Sequence, residues 1–143
     1  MKHHLDPEID VVDFTRTIGK LVRRVRATVA EHELSMSESG VLAKLDRDGA
    51  ATTADLARSE NMKPQSMRTT LTVLEERGFI TRKAHPTDGR QVLIELTEQG
   101  LEVRRQMLES KRLWLGQAID QLNTEEQQTL KAAMHIMKRL AAL

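Results

Sequence analysis

Cysteine is absent from the 143 residues. Disulfide cross-links, thiolate metal sites and cysteine-based oxidant sensing are therefore excluded. Aromatic residues make up only 2%: two Phe, one Trp and no Tyr. That scarcity argues against the stacked aromatic platforms on which single-stranded nucleic acid lies. No apolar run approaches a membrane span, and no charged-then-apolar leader opens the chain. A soluble cytoplasmic protein is the expectation. Neither charge dominates, since 22 Lys and Arg face 21 Asp and Glu for a net +1. The chain is thus no general polyanion binder. Its length suits one compact domain or one subunit of an intertwined dimer.

Catalytic and metal-binding patterns are missing too. His3, His4, His32, His85 and His135 are scattered, and none sits in a glycine-rich elbow beside a nucleophile. Dinucleotide and phosphate-loop glycine patterns are absent. The carboxylates fall on expected helix exteriors, so no enzymatic role is expected. No two histidines stand four residues apart, and His3, His4 and Asp6 lie on an arm too loose to preorganise a cation site. No cofactor or metal is expected.

What is there is a punctuated pattern between residues 52 and 97. Thr52 is a plausible N-cap, with Asp55 three residues on, for a short helix to about Glu60 carrying Leu56 and Ala57 on its apolar side. Asn61 and Met62 make a break. Pro64 suits the first turn of a second helix, where its missing N–H costs nothing. Met67, Leu71 and Leu74 recur at helical spacing and should face inward. Gln65, Ser66, Arg68, Thr69 and Thr72 then fall on the opposite side. Gly78 marks the helix end. The period next switches to strands: Phe79 to Lys83 and Gln91 to Leu96 flank a turn containing Pro86 and the pair Asp88-Gly89. Helix, break, helix and two-stranded ribbon is the layout of a winged helix-turn-helix, whose second helix enters the DNA major groove.

These residues resemble the MarR (multiple antibiotic resistance regulator) family of transcription factors. The resemblance rests on Asp55-Leu56-Ala57, on Leu74-Glu75-Glu76-Arg77-Gly78-Phe79-Ile80, on Asp88-Gly89-Arg90 and on Leu96-Thr97-Glu98-Gln99-Gly100, in this order and at these spacings. The flanking helices fit more loosely, so the likeness spans roughly residues 9–142.

The flanks carry wide apolar stripes. Residues 1–8 read as a flexible arm. Residues 9–32 read as one long helix, with Ile18, Leu21, Val22, Val25 and Val29 on one side and Arg16, Lys20, Arg23, Arg24 and Arg26 outside. The run of cations is the usual pattern of a solvated face. Ser35 with Glu38 forms a capping-box pattern for a short helix burying Val41, Leu42 and Leu45, stopped at Asp48-Gly49. Thr97 caps a helix to about Gln121, in which Leu101, Leu108, Leu115 and Leu122 repeat every seven residues. Asn123 with Glu126 starts the last helix, whose apolar side holds Leu130, Ala133, Met134, Met137, Leu140 and Ala141. Two terminal helices cannot bury such stripes on themselves. A symmetric dimer solves this, with residues 9–32 and 98–143 as dimerisation helices around a DNA-binding unit at residues 33–97; the alternative is a self-contained monomeric bundle. The fold class is mostly α with a small β-hairpin wing.

Charge follows the same division. Residues 1–57, 58–97 and 98–143 carry net charges of −2, +2 and +1, so the excess sits in the helix-turn-helix and wing. Arg68 can pair with guanine and Gln65 with adenine. Lys63 and Ser66 suit phosphates at the helix start. Arg90, with Gly89 at the wing tip, would reach the minor groove, and Arg82, Lys83 and His85 could add contacts.

The resemblance implies more. It implies a homodimeric repressor on a pseudo-palindromic double-stranded operator. It implies an ion pair in which Asp88 orients Arg90 or Arg82. It also implies release by a small ligand, often an aromatic acid, held between the dimer helices and the DNA-binding lobe. Phe14, Met36, Met107 and Trp114 are candidate walls for that pocket, although such residues at helical spacing more often form core. One departure is Lys63, which stands where relatives often carry a capping Ser or Thr. Some relatives sense zinc or copper, but this chain lacks the clustered ligands. The alternatives are a winged-helix module that binds protein without touching DNA, and a purely structural helical dimer.

Overall fold

A computed structural model describes residues 6–28 and 33–143. The elements run α1 Val11–Ala27, α2 Met36–Asp48, β1 Ala51–Thr52, α3 Thr53–Ser59, α4 Pro64–Glu76, β2 Ile80–Ala84, β3 Val92–Leu96, α5 Glu98–Asp120 and α6 Thr124–Ala141.

Every helix except α4 starts where a side chain can take the first free backbone donors. Asp10 accepts from Val12 and Asp13 at the head of α1. Ser35 and Glu38 close the expected capping box on α2, and Asn123 and Glu126 do so on α6. Thr52 accepts from the Asp55 N–H at 3.2 Å. Replacing such caps by alanine typically costs about 1 kcal/mol. The exit of α4 is a Schellman turn. Phe79 N–H donates to Leu74 C=O at 3.0 Å and Gly78 N–H to Glu75 C=O at 2.9 Å, with Gly78 at φ +80°.

The core lies in the middle of the chain. Val41, Leu42, Leu56, Leu71, Leu74 and Ile94 are all fully buried where α2, α3, α4 and the sheet meet. Truncating one such leucine to alanine costs about 2–5 kcal/mol. Arg77, at the end of α4, joins the start of α2: it donates to Glu33 C=O at 3.1 Å and lies 3.6 Å from the Glu38 carboxylate. Helix α4 is thereby pinned at its far end and open at its beginning.

Two expectations are corrected. The ribbon is not two-stranded. Ala51 and Thr52 pair with Ile94 and Leu93, giving an antiparallel sheet in the order β1-β3-β2. The first helix does not run from residue 9 to 32. It begins after Asp10 and stops at Ala27, where the Thr28 hydroxyl donates to Val25 C=O at 2.6 Å. Val29 and His32 lie outside the described residues, as do His3 and His4.

Helices α1 and α6 bury none of their residues. Leu21, Val22, Leu101, Leu108, Ile136 and Leu140 all stand between 43% and 55% exposed. The stripes read from the sequence exist, and the single chain does not cover them. No described helix is long and apolar enough to cross a membrane.

Candidate nucleic-acid interface

Helix α4 presents two unlike faces. Met67, Leu71 and Leu74 hold it to the core. Lys63, Pro64, Gln65, Ser66, Arg68, Thr69 and Thr72 are all exposed. Lys63 occupies the N-cap without a side-chain cap bond, so its departure from a capping residue is real. The N–H groups of the first turn of α4 therefore remain available to an acceptor such as a phosphate.

The exposed face is partly organised without a ligand. Arg68 donates to the Gln65 amide oxygen at 3.1 Å. The hydroxyls of Thr69 and Thr72 donate to the carbonyls of Gln65 and Arg68, at 3.2 and 2.9 Å. A hydroxyl used that way has spent its proton. It offers outward only lone pairs and a methyl group, which suits a base amino group or a thymine methyl. Beside this face a concavity of about 360 Å³ is lined by Thr52, Thr53, Pro64, Arg68 and Gln91, joining the starts of α3 and α4 to the edge of β3. At its margin the Thr52 side chain, aided by Arg58, holds Asp55 below the usual carboxylate range.

The wing is tied down by different pairs from those expected. Arg82 donates to Glu75 of α4 at 3.0 Å, fixing the base of the wing to the recognition helix. Lys83 pairs with Glu95 across β2 and β3 at 2.8 Å. Asp88 accepts from the backbone N–H of Arg90 at 3.0 Å. The implied ion pair between Asp88 and Arg82 is not formed, because register puts Arg82 beside Glu75. Asp88 shapes the main chain at Arg90 instead of gripping a guanidinium. His85 Nδ1 lies 3.1 Å from the Asp88 nitrogen and 3.2 Å from the Thr87 nitrogen. The Arg90 side chain is exposed at the tip, next to Gly89.

The four candidate effector residues are dispersed. Met107 is fully buried and Phe14 is 43% exposed on α1. Trp114 is half-buried under the Arg24 guanidinium, 5.4 Å from the ring centre. Met36 alone of the four lines a cleft of about 280 Å³ where α1, α2, α5 and the end of α3 meet, with Arg26, Leu34, Gly40, Glu60 and Lys111. The sequence marks Arg26 only as part of a solvated basic face and gives no sign of Lys111. Burial pushes the Lys111 amine below its usual range, and Arg104 and Arg26 push it further. Three cations thus converge near one cleft, with Arg104 held by Asp46 at 3.5 Å.

Comparison with known proteins agrees with this geometry. Residues 34–92 match the model of the MarR family. The uncharacterised HTH-type transcriptional regulator Mb0904 of Mycobacterium bovis is 32% identical over 128 residues, covering 90% of each chain. The HTH-type transcriptional repressor Mb2911 of the same organism is 32% identical over 84 residues, 58% of this chain and 60% of its own. Among solved structures, RV1404 from Mycobacterium tuberculosis superposes with a TM-score of 0.86 at 22% identity, covering 97% of each chain. That likeness establishes the fold. The chain belongs to the MarR family of helix-turn-helix transcriptional regulators.

Proposed function

We propose that the protein is a homodimeric repressor, released from its operator by a small anionic ligand. The observation that carries the DNA-binding part is α4 itself. Gln65, Arg68, Thr69 and Thr72 form one exposed polar face, and Arg82 holds the wing against its flank. Helix α4 enters the major groove, where Arg68 and Gln65 meet base edges. Lys63 and Ser66 meet phosphates. The wing lies over the adjacent minor groove with Arg90 inserted.

Dimerisation is supported by the uncovered stripes on α1, α5 and α6. A closed two-fold pair buries them and places two recognition helices on one side of the duplex. The operator is then a pseudo-palindrome with half-sites about 10 base pairs apart. Repression is supported by the name of the relative matched over 84 residues. The ligand reading is supported by the cleft at Met36. Arg26 and Lys111 favour a carboxylate, and Met36 and Leu34 favour an apolar or aromatic body. An anion there regulates only if it binds the DNA-free and DNA-bound arrangements unequally.

Selection from a random duplex pool, followed by footprinting at several salt concentrations, tests the central reading. The expected result is a two-fold-related sequence whose affinity falls steeply with salt. Absence of enrichment together with salt-independent behaviour overturns it and favours a protein-interaction module.

A further inference from the structure

His85 directly follows β2, the strand that enters the wing, and its ring turns back on the chain that follows. Nδ1 lies 3.2 Å from the Thr87 backbone nitrogen and 3.1 Å from that of Asp88. The Thr87 hydroxyl is 3.3 Å from the same atom. Backbone nitrogens are obligatory donors, so Nδ1 must offer a lone pair and the ring must carry its proton on Nε2. The imidazole is doing what an Asn or Asp does at the head of an Asx turn. Pro86 follows with its φ already fixed. Asp88 repeats the device, accepting from Arg90 N–H at 3.0 Å. The base of the turn closes through His85 N–H to Gln91 C=O at 3.2 Å and Gln91 N–H to Asp88 C=O at 3.0 Å. Side-chain acceptors thus lead in sequence from the end of β2 to Arg90.

We propose that His85 is a positioning residue for the wing: its neutral imidazole folds the turn through Nδ1 and so sets where Arg90 meets DNA. The proposal rests on the reading that the wing contacts DNA. It differs in kind from a phosphate contact by the same ring. A phosphate is better served by a protonated imidazole. The turn is not, because a proton on Nδ1 would face two backbone N–H groups. The two roles have opposite pH dependence. The charged groups of the hairpin are Asp88 and Arg90 in the turn, the Lys83–Glu95 pair on its strands and Arg82 of β2, which is paired with Glu75 of α4.

The test uses the full chain as wild type, His85→Asn and His85→Ala. Asn keeps an acceptor at the matching position and cannot titrate; Ala removes the acceptor. Nitrogen-resolved NMR of the free protein reads the His85 tautomer and the Thr87 and Asp88 amides. Fluorescence anisotropy reads binding to a random-sequence duplex at low salt, from about pH 7.5 to about 5.5. The expected results are an Nε2–H tautomer, shifted Thr87 and Asp88 amides in His85→Ala, and a loss of roughly tenfold in its affinity at neutral pH. His85→Asn should bind like wild type at neutral pH. On acidification wild type should weaken relative to His85→Asn. An Nδ1–H tautomer, or unmoved amides in His85→Ala, overturns the positioning role. Wild type tightening relative to His85→Asn on acidification replaces it with the phosphate contact. Shifted amides with unchanged affinity instead remove the wing from DNA binding, and the proposal falls with that reading.

Discussion

Gly100, in the first turn of α5, lies so close to Phe79 that a Cβ there would sit 2.1 Å from the Phe79 carbonyl oxygen. That oxygen accepts from Thr97 N–H at 3.1 Å, and the Thr97 hydroxyl donates to Gly78 C=O at 2.5 Å. The same hydroxyl oxygen accepts from Gly100 N–H at 3.1 Å. The end of the recognition helix, the first wing strand and the helix leading away from the wing are therefore joined at one point, and the joint is backbone against backbone.

Gly100→Ala should accordingly destabilise the protein by about 1–3 kcal/mol, the usual range for overpacking, because a carbonyl cannot swing aside as a side-chain tip can. Chemical denaturation at fixed protein concentration measures it. Gly89→Ala is the control, since nothing lies within 4 Å of its would-be Cβ. Equal stability for the two variants would show that the joint yields.

Glycine 100 also shows where the sequence could and could not be read. A glycine in a first helical turn is legible as tolerated, but its necessity depends on Phe79, which approaches only after the hairpin folds. Local devices were legible. The capping pairs Ser35–Glu38 and Asn123–Glu126, the break at Asn61 and the terminator Gly78 each act within a few residues. Strand β1 was not, because two residues cannot display an alternation. Nor was the end of α1, since neither Gly nor Pro follows Ala27 within the next turn. The partner of Arg82 was misread for the same reason as Gly100. Glu75 precedes the strand on the helix, and only the fold brings them together. The cleft was found through Met36 alone, because Arg26 and Lys111 lie far apart in sequence and look like ordinary surface cations.

Lys111 should trade stability for ligand binding. Burial lowers its pKa, with Arg104 and Arg26 adding to the effect. A lysine whose folded pKa is lowered costs stability while charged. That cost is full below the folded pKa and disappears as pH rises from there to the unfolded value of 10.5. Lys111→Met should therefore melt higher than wild type at neutral pH, with the gap closing toward the unfolded pKa. Aromatic carboxylates should raise the wild-type midpoint and leave that of Lys111→Met unmoved. A lower midpoint for Lys111→Met at neutral pH would mean the amine has a stabilising partner.

The uncovered faces of α1, α5 and α6 set the expected assembly. Sedimentation at micromolar concentration should give about twice the 16.2 kDa chain mass. Ile136→Glu, on a helix with no buried residue, should weaken the pair while leaving the α2–β3 core intact. Wild type sedimenting as a monomer with full helical content would leave the stripes without their proposed role.

Arg68 and Arg90 should fail differently when removed. Arg68 is one turn into α4 and is held by Gln65 at 3.1 Å, so its guanidinium is partly preorganised above the polar face. Replacing it with alanine should cost about 1–3 kcal/mol on the selected operator and little on scrambled duplex, because the loss is of base-edge contacts. Arg90 stands at the wing tip, where contact is to backbone and minor groove. Arg90→Ala should weaken binding on both duplexes alike and lower the salt slope by about 1. Asp88→Ala should follow Arg90→Ala in direction but keep the salt slope. Its carboxylate holds the Arg90 main chain, and the cation itself survives the substitution. Arg68 and Arg90 are exposed, so their alanine variants should scarcely move the thermal midpoint. Anisotropy titrations at several salt concentrations on operator and scrambled duplex separate the cases. Equal losses on both duplexes for Arg68→Ala would assign that side chain to phosphate, and a reduced salt slope for Asp88→Ala would mean that Arg90 no longer reaches the DNA once its main chain is released.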